Sequence, residues 1–185
     1  MTMLPNEKKQ LIALAGTLAV LAGLYWASRP SQEGPGNARA GADGYADVPL
    51  AKFGGGDPET LRSCPTERCV NVYVAPWCGV CRATTDMILA LRPWLAARGA
   101  TVRVIVGRDR PDAVEDYART FGNGTLMDPA GTLSLLRGVP EFAVTDSAGR
   151  ILNRFPGLPR LYRPPITEAD LESFAEFLGV LRAVR

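Results

Sequence analysis

No histidine occurs anywhere in this chain, and that absence removes the commonest protein ligand for metals and the usual general base of serine and cysteine hydrolases. Any chemistry here runs without imidazole. Strong charge of one sign is missing too: Lys and Arg total 21 against 19 Asp and Glu, and no long basic run stands out. That balance gives no electrostatic footprint for nucleic acid, so nucleic-acid binding is excluded. Internal repeats are absent. Cysteine is scarce, with four residues in 185, at positions 64, 69, 78 and 81. The chain is long enough for one well-buried domain with attachments and too short for two large ones.

A long apolar run occurs once. From Gln10 to Ser28 there is no charged residue, about the ~20 residues that an apolar helix needs to cross a bilayer. Lys8 and Lys9 precede it and Tyr25 and Trp26 close it, which makes residues 1–9 cytoplasmic, residues 10–28 a transmembrane anchor and the rest of the chain extracytoplasmic. A cleaved signal peptide is the alternative, although its apolar region is usually shorter. Residues 29–59 are rich in Gly, Pro and Ala with scattered apolar residues and read as a flexible linker. The folded unit is then residues 60–185.

Within that unit Val70–Val74 is β-branched and aromatic on both faces, the pattern of a central strand. A helix is predicted from about Gly79, with Met87, Leu91 and Leu95 on one face and Pro93 expected to kink or split it. Thr101–Val106 is a second strand. Pro111 opens and Gly122 closes a second helix bearing Val114, Tyr117, Ala118 and Phe121. Glu141–Thr145 and Arg150–Phe155 make a hairpin about Asp146-Ser147-Ala148-Gly149. Thr167 and Asp170 form a capping-box pattern, with Ile166 able to staple onto Leu171 and Leu171, Phe174, Leu178 and Leu181 facing one way. Strand, helix, strand, helix, then a hairpin and a helix imply an α/β fold: a central mixed sheet with helices on both faces.

Cys78 and Cys81 sit where the central strand gives way to a helix. Cys-x-x-Cys alone also suits a zinc clip, but zinc wants four ligands, and only Cys64 and Cys69 remain. Cys69 precedes Cys78 across a predicted strand, about 25 to 30 Å away at full extension. A metal site is therefore not expected. At a helix amino end the unpaired N–H groups favour thiolate over thiol at Cys78, and Cys81, one turn on, is placed to attack a mixed disulfide formed there. Cys64 and Cys69, around Pro65, read by preference as a small structural disulfide, with a second redox centre or free thiols as alternatives.

"APWCGVC" after a hydrophobic strand, followed by "GVPEFAVTDSAGRI", resembles the thioredoxin superfamily, and the middle of the chain resembles its TlpA-like and redoxin-like branch of membrane-tethered periplasmic proteins. The similarity runs from Val70 to the C-terminus. It implies a thioredoxin-like fold and a redox-active disulfide with no other cofactor. Cys78 is then the nucleophile, Cys81 the resolving thiol and Trp77 the aromatic flank. Pro140 becomes a cis-proline beside the sulfurs, and the Val139 backbone would bind an extended substrate by strand addition. The implied function is disulfide exchange with protein thiols by an inner-membrane, single-pass protein whose catalytic domain lies in the periplasm, recharged by a membrane electron-transfer partner. The sequence departs from the pattern at Val72, where many thioredoxins carry a buried acid, and Gly79-Val80 offers no side-chain donor between the cysteines. Arg82 either assists the thiolate or is an ordinary solvated helix residue. The alternative function is a thioredoxin-like envelope protein that binds Cu(I) or acts as an adaptor. Peroxidase chemistry ranks low, because Ala75 stands where such enzymes use threonine.

Overall fold

A computed structural model describes residues 44–133, 135 and 137–181. The membrane anchor expected at 10–28 lies outside the described residues, as do residues 29–43 of the linker; among the described residues no helix is long and apolar enough to cross a membrane.

Among the described residues ten elements follow one another: β1 (Ala51–Lys52), β2 (Arg68–Val74), α1 (Gly79–Ala83), α2 (Thr85–Ala96), β3 (Ala100–Gly107), α3 (Pro111–Phe121), β4 (Leu126–Asp128), β5 (Glu141–Asp146), β6 (Ile151–Pro156) and α4 (Glu168–Leu178). The strands form one mixed sheet in the order β1-β4-β3-β2-β5-β6. β2 runs parallel to β3, with Val72 beside Val104, and antiparallel to β5, with Val72 beside Phe142. β2 and β3 occupy the middle, which is why both are almost wholly buried and mostly apolar on both faces, with Asn71 and Arg103 as buried polar exceptions.

Among the described residues the helices do not lie on both faces. Val70, Val72, Val74, Val102, Val104, Val106, Phe142 and Val144 pack with Ile88 and Leu91 of α2, Val114 and Ala118 of α3, and Phe174 and Leu178 of α4 in one core. The other face, built from Tyr73, Ile105, Leu126 and Ala143, is covered by Tyr45, Leu50, Leu61 and Leu133, none of them helical. The cause is topological: the crossovers β2-α2-β3 and β3-α3-β4 step in the same direction across the sheet, and a fixed right hand then puts both helices on one side.

This arrangement also shortens the linker. Tyr45 and Leu50 are buried, Leu50 and Glu59 exchange two backbone hydrogen bonds of 2.9 Å, and β1 pairs with β4. Residues 44–59 thus belong to the folded unit rather than to a tether. They form part of a thin cover over the sheet face that carries none of the described helices.

A break does occur in the first helical stretch, but at Thr84 instead of Pro93. The Thr84 hydroxyl donates to the carbonyls of Val80 (2.7 Å) and Cys81 (2.8 Å), competing with the helical ladder. Pro93 sits inside α2, which continues to Ala96. At the far end, α4 carries the complete capping box: the Asp170 N–H donates to the Thr167 hydroxyl, and the Thr167 N–H to the Asp170 carboxylate. Gly179 then ends it in the left-handed conformation.

Candidate active site

β2 and β3 both end, and β5 begins, at one end of the sheet, because Tyr73 is in register with Ile105 and with Glu141. Three loops converge there. The loop after β2 carries Trp77 and Cys78, that after β3 carries Arg108, and the one before β5 carries Val139 and Pro140.

Cys78 and Cys81 form a disulfide with their Cα atoms 5.2 Å apart. Cys78 caps α1, and its sulfur accepts the Cys81 N–H at 3.1 Å. Because the helix breaks at Thr84, α1 has only five residues, so the donor that serves this sulfur is the local Cys81 amide more than a long macrodipole. Cys78 retains 6% exposure and Cys81 none. On its other side the Cys78 sulfur lies 3.7 Å from the Val139 carbonyl oxygen, and the Val139–Pro140 peptide bond is cis. All four residues thus meet at one point. Trp77 flanks them with its ring 58% exposed while its Nε1–H donates to the Arg108 carbonyl at 2.8 Å.

Cys64 and Cys69 are joined by a second disulfide, Cα to Cα 5.7 Å. Cys69 lies near the start of β2 and is fully buried, and Cys64 is nearly so, so this pair occupies the end of the strand opposite the exposed site.

Sequence reasoning missed what holds Trp77. Arg108 has φ of +59°, a left-handed conformation unusual for a residue with a side chain, and its N–H donates to the Asp128 carbonyl at 3.1 Å. Preceding Arg108 is Gly107, where any Cβ would strike the Tyr73 hydroxyl and the Asp128 carbonyl. Asp128 is buried and its carboxylate accepts the Tyr73 hydroxyl (2.8 Å), the Thr132 N–H (2.8 Å) and hydroxyl (2.7 Å), and the Leu133 N–H (3.1 Å). Burial, then the Asp128 hydrogen bond and charge, push the Tyr73 phenol well above its ordinary range. The Asp128-Pro129-Ala130-Gly131 turn signal was the trace of this knot in the sequence.

Val72, at the position where a buried acid was expected to be missing, lies wholly within the apolar core that also holds Cys78 and Cys81. Glu141, next to Pro140, points to the opposite core and pairs with Arg154 at 2.5 Å. Among the described residues no group of three or more Cys, Asp or Glu is placed to hold a metal ion.

The fold is that of thioredoxin. The pneumococcal exposed lipoprotein thioredoxin Etrx1 from Streptococcus pneumoniae strain TIGR4 superposes with a TM-score of 0.56 at 19% identity, covering 74% of this chain and all of that one. A thiol:disulfide interchange protein of the thioredoxin family from Chlorobium tepidum TLS does so with a TM-score of 0.51 at 19% identity over 77% of this chain and 99% of that one. In sequence, the thiol:disulfide interchange protein HelX of Rhodobacter capsulatus is 30% identical over 105 residues, 54% of this chain and 53% of HelX, so the chain spans about half the length of that relative. No protein-family model matches. Thioredoxin-like thiol:disulfide interchange proteins thus match this chain both by sequence and by structure.

Proposed function

We propose that this protein is a thiol-disulfide oxidoreductase that exchanges disulfides with protein thiols outside the cytoplasm, held to the bacterial inner membrane by residues 10–28. The observation that carries the reading is the meeting of Cys78, Cys81 and the Val139–Pro140 peptide at the open end of the sheet, with the sulfur of Cys78 capped by the Cys81 N–H and 3.7 Å from the Val139 carbonyl. The names of the similar proteins, which are thiol:disulfide interchange proteins, support it.

In the reduced protein, the Cys78 thiolate attacks a substrate disulfide. A bond forms between Cys78 and one substrate sulfur, and the other substrate sulfur leaves as a thiolate that takes up a proton. Cys81 then loses its proton and attacks Cys78, releasing the second substrate thiol and closing the Cys78–Cys81 disulfide. Two electrons pass from enzyme to substrate, and a dithiol partner at the membrane returns them. Run backwards, the same steps make the protein a disulfide donor; the relative potentials of enzyme and substrate decide the direction. An extended substrate segment beside Val139 would bring its sulfur to Cys78, while the buried Cys81 waits for the mixed disulfide. With Val72 in place of an acid, the Cys81 proton passes to water or to the departing thiolate.

The test is trapping. Cys81→Ser should accumulate a covalent adduct with a disulfide-bearing protein that dithiothreitol releases, Cys78→Ser should not, and the wild type should reduce insulin. Wild-type protein that neither reduces insulin nor equilibrates with glutathione, together with a Cys81→Ser form that traps nothing, would defeat the reading.

A further inference from the structure

We infer that the rim of this site selects substrate segments carrying acidic residues beside their disulfide, a deepening that rests on the exchange activity proposed above. Three arginines flank the segments that meet at Cys78, one in α1 and one on each of the loops after β3 and before β5. Arg82 is exposed in α1, and its N–H donates to the Cys78 carbonyl. Arg108 is exposed after β3, its own carbonyl bonded to Trp77, but its guanidinium turns towards the Leu133 carbonyl (3.5 Å) and the Tyr73 ring (6.0 Å), so Arg82 and Arg137 are the freer cations. Arg137 is exposed two residues before Val139, whose oxygen lies 3.7 Å from the sulfur. None of the three is among the ion pairs found between described residues, a property shared with Arg62, Arg68, Arg92 and Arg163, whereas Arg98, Arg103, Arg119, Arg150, Arg154 and Arg160 all have carboxylate partners.

The carboxylates at this end of the sheet leave Arg82 and Arg137 uncancelled. Asp112 pairs with Arg110, while Asp109 accepts only the Arg110 N–H and keeps its charge beside Arg108. Asp128 is buried under four donors, and Glu141 is buried against Arg154. Asp86 is exposed but lies in the first turn of α2, beyond the break in the helix. The overall charge is only +2, so the local excess is a matter of placement and not of composition. Between the arginines the exposed surface is apolar, Trp77 and Val80. A peptide laid beside Val139 therefore meets an apolar centre with cations around it, a surface that attracts carboxylates flanking the substrate cysteine and repels lysines. Arginine suits the task because its guanidinium stays charged and grips a carboxylate with two donors.

The experiment uses the full chain in detergent, pre-reduced, and three oxidised substrates: two peptide disulfides identical except for Glu or Lys on either side of each cysteine, and neutral hydroxyethyl disulfide. The Glu peptide should be reduced at least about fivefold faster than the Lys peptide at low salt, the ratio falling towards one as salt screens the rim. Arg82→Glu/Arg137→Glu should reverse the preference; because the readout is a ratio, a general loss of reactivity in the variant cancels. Equal rates, or a preference for the Lys peptide, would overturn the selectivity while leaving the exchange activity standing. Equal peptide rates that both fall on adding phosphatidylglycerol vesicles would assign the arginines to lipid headgroups and overturn it as well. No turnover of any of the three, hydroxyethyl disulfide included, would overturn the exchange activity and the selectivity together.

Discussion

The sulfur of Cys78 and the carbonyl oxygen of Val139 lie 3.7 Å apart, although 61 residues of chain separate them, and the other side of that sulfur receives the Cys81 amide. The consequence is an unequal pair. Cys78 keeps an opening to solvent and an N–H donor that stabilises negative charge on sulfur, while Cys81 has neither exposure nor a cap. After reduction, iodoacetamide at neutral pH should modify Cys78 at least about tenfold faster than Cys81, because only the accessible thiolate reacts. Peptide mapping by mass spectrometry over a time course gives the order directly. Equal labelling, or Cys81 first, would contradict the assignment of roles.

Tyr73 and Asp128 tie the underside of the site, and the tie is sensitive to alkali. Asp128→Ala would leave the Tyr73 hydroxyl and the Leu133 N–H without the acceptor they share and should cost about 2 to 4 kcal/mol, whereas Tyr73→Phe loses one bond to a charged group, about 1.5 to 3 kcal/mol. The Tyr73 phenol is raised above its ordinary value of 10.0, chiefly by burial. A group raised in the folded state contributes its stability below the unfolded value and loses it as pH climbs towards the folded one. The stability gap between wild type and Tyr73→Phe should therefore be full at pH 8 and narrow above pH ~10. Urea melts at pH 8 and 10.5 check this; a gap that widens in alkali would mean the phenol is not held neutral.

The second disulfide is predicted to stabilise without taking part in exchange. It closes a short loop, Cys64 to Cys69, and the chain-entropy estimate for so short a loop is about 2 kcal/mol. Cys64→Ala/Cys69→Ala should lower the unfolding free energy by roughly that amount and leave insulin reduction within about twofold, a factor worth less than 0.5 kcal/mol. A large loss of activity in a variant that still folds would instead make this pair a second redox centre.

How much could be read beforehand depended on how local the cause was. The strand at Val70–Val74, the hairpin turn at Asp146–Gly149 and the Thr167–Asp170 cap each rest on residues adjacent in sequence, and each formed where its pattern said. The Trp-Cys-x-x-Cys motif and Val139-Pro140 were legible because a family pattern links two segments that spacing alone would never join. What stayed hidden was contact between distant segments of unremarkable composition. Leu50 reads as a linker residue until Glu59 pairs with it and a bare sheet face lies beneath. Arg108 reads as a loop cation until its left-handed backbone is seen to hold Trp77. That the described helices share one face followed from strand order, which no local pattern encodes.

Thr167 and Asp170 provide the acid counterpart of the tyrosine experiment. The Thr167 hydroxyl (2.6 Å) and N–H (3.2 Å) both donate to the Asp170 carboxylate, and with the Arg160 guanidinium at 2.9 Å they hold its pKa below the usual 3.8. Thr167→Ala removes the cap that α4 needs for its first turn and should cost about 1 kcal/mol. A carboxyl depressed in the folded state contributes above its unfolded value and loses that contribution as pH falls through the folded one. Asp170→Asn should accordingly melt below the wild type at pH 7 and converge with it below pH ~4, where the wild-type carboxyl takes up its proton. Phe174 and Leu178, seven and eleven residues on from Thr167 at the start of the box, anchor α4 in the core that holds Cys78 and Cys81. Thermal melts of both variants at pH 7 and pH 3 are the measurement, and an Asp170→Asn difference that persists unchanged at pH 3 would show that the aspartate acts through shape and not through charge.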